Sequence, residues 1–212
     1  RGLDNGKVGI VGKKMILPAG CYEQFQDGLP NVEFVDADRM MDRIRAIKSP
    51  LEIQQIKELW KDAVDAMERF VEVLEPGKTE RELSAAPVEL LQSRGVRQYL
   101  VFLNGIPGDD IVDLEGVVKY HMEICGESGH WNEITVQPTY EPHPSEQDMK
   151  LMETELRAYD EILKAATPGT TLNELAEVFE RVLREDGWDI TEENKELEHL
   201  DFHGGGLDWL EF

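Results

Sequence analysis

Cysteine is scarce in this chain: the 212 residues include two, Cys21 and Cys125. Their separation matches no metal or redox spacing, which excludes a disulfide framework and a cysteine-based metal knuckle. Basic residues are few as well, with 22 Lys and Arg against 44 Asp and Glu, a formal charge of −22 and a pI near 4.5. Lacking a basic footprint, the sequence excludes the usual nucleic-acid binder. The acidic excess is a solvated surface that favours solubility. No apolar run approaches the ~20 residues that a membrane helix needs. Arg1-Gly2-Leu3-Asp4 carries no signal-peptide hydrophobic core. These absences predict a cytoplasmic protein with reduced thiols and neither a nucleic-acid nor a membrane partner.

What is present begins with two short apolar runs, Lys7 to Gly12 and Asn31 to Val35, which read as strands flanking a short helix at Ala19 to Gln26. Ser49-Pro50-Leu51-Glu52 is a capping box with proline at the first helical position. Ile53, Ile56, Trp60, Ala63, Met67, Phe70 and Leu74 then predict one buried helical face. Thr79-Glu80-Arg81-Glu82 opens a second helix ending near Gly95, and Tyr99 to Leu103 reads as a strand. Ser145 caps a third helix, whose predicted buried face is Met149, Met152, Leu156, Tyr159 and Leu163. Thr171-Leu172-Asn173-Glu174 caps a fourth. Helices, a hairpin and further helices in this order make an α+β pattern, with long helices covering a mostly antiparallel sheet.

The stretch from Gly116 to Thr139 organises the rest. Val118, Tyr120, Met122 and Ile124 alternate with Lys119, His121, Glu123 and Cys125, the period of a strand with one buried face. After the turn cluster Gly126 to Gly129, Trp131, Glu133 and Thr135 alternate with Asn132, Ile134 and Val136. A hairpin centred near Ser128 sets Glu123 opposite Glu133 and His121 opposite Thr135, all on one face. Directly opposed carboxylates repel, so the pair must share a proton, bind a cation or face open solvent. Two readings stay open, an edge hairpin with a solvated acidic face and an active-site hairpin.

Four motifs carry a resemblance. Arg45-Ala46-Ile47-Lys48-Ser49-Pro50-Leu51-Glu52-Ile53 is similar to the R-x-I-K-S-x-x-E-I segment that opens the catalytic domain of the creatinase and Xaa-Pro dipeptidase family. Gly129 to Thr135 resembles that family's G-Y-x-x-D-x-T, Pro168-Gly169 its K-P-G-x-T, and His203 to Asp208 its H-G-I-G-L-D. All four stand in family order. The resemblance implies a pita-bread domain over residues 44–212, truncated at its C-terminus. It implies too that residues 1–43 are the remnant of an α/β N-terminal domain, and that the protein is a homodimer. The family's peptidases hold two divalent metals with two Asp, one His and two Glu. Matched residue by residue, the second Asp falls on Glu133, the first on Met122 or Glu123, and the His on His203. The later His of the H-E pair falls on Leu210, next to Glu211. A further histidine expected after Asn104-Gly105 has no counterpart.

Glu133, His203 and Glu123 are too few for a dinuclear hydrolase that must activate water, so no metal is expected. The leading expectation is therefore a metal-independent, creatinase-like hydrolase of a small C–N-bonded molecule. Glu123 and Glu133 would form the acid–base pair, and His203 or His121 would shuttle protons. His130 reads as a turn residue, and His143 and His199 as inert loop residues. One alternative is an Xaa-Pro aminopeptidase or dipeptidase fragment, using Mn, Co or Zn on a short peptide. Another is an inactive pita-bread module that binds a peptide or protein.

Overall fold

The computed structural model describes residues 4–14, 16–104, 110–112, 114, 116–140, 144–189 and 205–207. Strands β1 (Gly6–Ile10) and β2 (Val32–Asp36) pair in parallel on either side of helix α1 (Ala19–Gly28). Helix α2 (Asp38–Ala46) follows and was not foreseen. Its N-cap position is Ala37, with no side-chain capping bond, so it lacks the usual start signal.

Helix α3 (Pro50–Val73) starts at the predicted capping box. The Ser49 N–H donates to Glu52 Oε2 at 2.7 Å, and the Glu52 N–H donates back to Ser49 Oγ at 3.3 Å. The buried stripe of α3 is Leu59, Ala63, Ala66, Met67 and Phe70. Ile53 and Trp60, expected inside, are 44% and 43% exposed. Helix α3 packs on α4 (Glu80–Ser93) and on strand β6 (Trp131–Val136). A second capping box, Thr79 with Glu82, starts α4.

Three antiparallel strands form the main sheet in the order β3 (Gln98–Leu103), β5 (Tyr120–Cys125), β6 (Trp131–Val136). Two short strands, β4 (Gly116–Val117) and β7 (Thr139–Tyr140), pair beside it. Val118, Tyr120, Met122 and Ile124 are fully buried against α3 and α4, as the alternation requires. The Phe70 ring stacks on Tyr120 at 3.7 Å and 8°. Burial pushes the Tyr120 phenol far above its usual pKa.

Helix α5 (Glu146–Ala165) packs on α6 (Leu172–Glu185). Thr154 is buried between them and takes a bond from Trp188 Nε1 at 3.0 Å, while Arg157 reaches Asp186 at 2.8 Å. The expected buried face of α5 is corrected here. Met149, Leu156, Tyr159 and Leu163 are all exposed, and the buried residues of this helix are Thr154 and Ala158. Periodicity locates an apolar stripe; whether another element covers it depends on tertiary packing.

Candidate functional site

The hairpin β5–β6 has the register expected from its sequence. Glu123 is the direct partner of Glu133, His121 of Thr135 and Cys125 of Trp131. Since Tyr120, Met122 and Ile124 enter the core, the pleat turns His121, Glu123 and Cys125 to the opposite face. Of the two residues matched to the family's first Asp, Met122 is in the core and Glu123 lies on the opposite face. On β3, Leu100 is the partner of Glu123 and Phe102 of His121. The Phe102 and His121 rings lie 5.8 Å apart.

Glu123 is 8% exposed, a rare setting for a carboxylate. Its Oε1 lies 3.4 Å from His121 Nε2. No hydrogen-bond partner reaches its buried Oε2 among the described residues. The other His121 nitrogen, Nδ1, lies 2.8 Å from Thr135 Oγ1. A hydroxyl, an imidazole and a carboxylate thus stand in a chain across two strands. Glu133 is half-buried, and its backbone N–H donates to Asn132 Oδ1 at 3.2 Å. Cys125 on the same face is buried, which pushes its thiol above the usual pKa.

The structure brings Glu123, Glu133 and His121 together, whereas His203, Leu210 and Glu211 lie outside the described residues, as do His143 and His199. Near His203, the Gly206 carbonyl accepts from the Trp131 N–H at 2.7 Å, so the chain at Gly205 to Leu207 runs beside the start of β6.

Among the described residues, no three His, Cys, Asp or Glu side chains converge to hold a metal. The described residues bring two carboxylates, Glu123 and Glu133, to this face, and a divalent ion held there would need further oxygen or nitrogen ligands.

His130, expected as a turn residue, closes the hairpin turn, where its carbonyl accepts from the Gly126 N–H at 3.1 Å, and it is also buried. The residue is 3% exposed, with Nδ1 3.0 Å from Ser128 Oγ and Nε2 3.7 Å from Glu52 Oε1. Its ring lies between the hairpin turn and the start of α3, and Nε2 has no hydrogen-bond partner among the described residues. The bonds that Glu52 accepts from Ser49 hold its carboxyl below the usual pKa, with His130 a lesser cause. Glu52 was legible as a cap, but its second partner lies 78 residues away in sequence. A groove of about 330 Å³ beside this turn is walled by Glu58, Leu59, Asp62, Arg94 and Ser128. It does not include Glu123, Glu133 or His121.

Residues 54–211 match the model of metallopeptidase family M24. The Xaa-Pro dipeptidase of Pyrococcus horikoshii is 24% identical over 209 residues, covering 93% of this chain and 58% of that protein. The ectoine hydrolase of Halomonas elongata is 34% identical over 83 residues, 39% of this chain and 21% of the relative. The prolidase structure from Pyrococcus horikoshii superposes with a TM-score of 0.80 at 24% identity, over 97% of this chain and 60% of that one. The chain thus spans about three-fifths of the length of the Pyrococcus proteins, and the fold it shares with them is the pita-bread arrangement. By this match, the chain belongs to metallopeptidase family M24, as a divergent member of the creatinase and Xaa-Pro peptidase group.

Proposed function

We propose that this chain carries the active site of a creatinase-type hydrolase, which cleaves a C–N bond in a small cationic substrate without a bound metal. The observation that carries this reading is the direct opposition of Glu123 and Glu133 on the face of the hairpin away from the core cluster, with Glu123 buried and Glu133 half-buried. Opposed carboxylates have Cβ atoms about 5 Å apart. Such a pair is destabilising unless a proton or a cation lies between its members. A substrate amine, amidinium or guanidinium supplies the cation. In the reaction one carboxyl acts as acid toward the leaving nitrogen, and the other as base. His121, in contact with Glu123, relays the proton; His203 is the second candidate for that step. The local similarity to an ectoine hydrolase supports a small C–N substrate.

A second reading, a peptidase acting on Xaa-Pro dipeptides with Mn, Co or Zn, is favoured by the long alignment with the Pyrococcus dipeptidase. Assays of amine or ammonia release separate the two readings, using a panel of cyclic amidines and guanidino acids beside Xaa-Pro dipeptides. The proposal expects turnover in the first group, and loss of about a hundredfold or more in Glu133→Gln with an unchanged circular dichroism spectrum. Preferential cleavage of Xaa-Pro bonds, or wild-type rates in Glu133→Gln, would contradict it. Binding of peptides without any hydrolysis would point to an inactive module.

A further inference from the structure

The chain of contacts centred on His121 has an order that the acid–base reading does not use. Thr135 is exposed, the His121 side chain is 25% exposed, and that of Glu123 is 11% exposed. The hydroxyl is therefore open to solvent and the carboxylate is the innermost group, with the imidazole between them. Thr135 Oγ1 is 2.8 Å from His121 Nδ1, and His121 Nε2 is 3.4 Å from Glu123 Oε1. A nucleophile within hydrogen-bond reach of a base, which a third group orients in turn, is the signature of covalent catalysis. We propose that Thr135 Oγ1 is the nucleophile of this site, with His121 as its general base and Glu123 as the carboxylate that holds the imidazole.

The tautomer follows from the partners. Glu123 Oε1 accepts from His121 Nε2–H, which leaves the Nδ1 lone pair to take the Thr135 hydroxyl proton. In the reaction, Thr135 Oγ1 bonds to the carbon of the substrate C–N bond as its proton passes to Nδ1. The C–N bond then breaks, and the departing nitrogen takes that proton from His121. Water, deprotonated by the same Nδ1, attacks the substrate carbon held on Thr135 Oγ1. Cleavage of that C–O bond releases the hydrolysed substrate and returns the proton to Thr135 Oγ1. No oxidant or further reactant is required. Glu133, two residues from Thr135 on the same face of β6, stands beside this step and draws a cationic substrate toward the hydroxyl. Glu123 and His121 are held by strand pairing, which keeps the relay on rigid elements.

The inference rests on the site being hydrolytic, and not on the identity of the substrate. Its test uses p-nitrophenyl acetate, an activated acyl ester that needs no recognition of the natural leaving group. The intact chain is mixed with the ester, nitrophenolate release is followed, and the acetylated residue is located by peptide mass spectrometry. The proposal expects acetyl on Thr135 and on the hydroxyl of T135S. It expects nitrophenolate release to fall about a hundredfold in T135V and in H121Q, with folding checked by circular dichroism. An unmodified Thr135 in wild type, or T135V reacting at the wild-type rate, overturns it. Because the ester carries no cation, acetylated Thr135 with inert amidines would leave the nucleophile standing and remove only the substrate reading above.

Discussion

At the scale of single residues, two buried side chains of opposite character define the hairpin. Glu123 is a carboxylate in a place that residues of its kind almost never occupy without a partner. His121 stands at one of its oxygens, and no hydrogen-bond partner among the described residues reaches the other. On the reverse face, Tyr120 lies flat against Phe70, and both are fully buried. Removing the Phe70 ring deletes the stack and opens a cavity under β5. Phe70→Ala is expected to destabilise the fold by about 3–5 kcal/mol, read as a shift of the urea midpoint. A loss below ~1 kcal/mol would mean that the helix collapses onto the sheet without it. The loss should be felt at the site too, since Tyr120 sits next to His121.

At the scale of elements, four helices start with the same device. Ser49, Thr79, Ser145 and Thr171 each accept from the N3 backbone, and the N3 carboxylate reaches back to the N-cap N–H. Those return bonds hold Glu52, Glu82 and Glu174 below the ordinary carboxylate range. A carboxyl with a depressed folded pKa stabilises the fold above its unfolded value and loses that effect as pH falls. Thermal stability should therefore fall as pH drops below about 4.5, and Glu174→Gln should make that decline shallower. A melting temperature flat from pH 6 to 3 would contradict the sign. All four caps were readable from sequence, and three of them as boxes, because a cap is a local pattern of four residues. The hairpin register was readable for the same reason, since a turn and a period of two determine which residues oppose. The covering of α5 was not, because Leu156 and Tyr159 announce an apolar side without naming a neighbour. Neither was α2, where Ala37 stands in place of a polar cap.

At the scale of the whole molecule, residues 54–211 carry the family match, and the candidate site sits on the one sheet that α3 and α4 cover from behind. Alternation predicted the face on which Glu123, Glu133 and His121 meet. The bonds that make this a directed chain, from Thr135 to His121 to Glu123, depend on side-chain rotamers that no period encodes. The same holds for His130, whose contact with Glu52 joins hairpin and helix across a long loop closure. The acidic balance of −22 is consistent with a site that gathers cations, since a field of one sign raises the local concentration of oppositely charged ligands.

The central claim is that the opposed glutamates work without a metal pair. It is tested most directly by elemental analysis of the active chain, purified without chelator and assayed in the same preparation. Well under about one equivalent of manganese, cobalt or zinc per chain is expected, with amidine or guanidine hydrolysis unchanged by chelator and by added metal. About one or two equivalents of any of these ions, with activity lost on their removal and restored on their return, would contradict it.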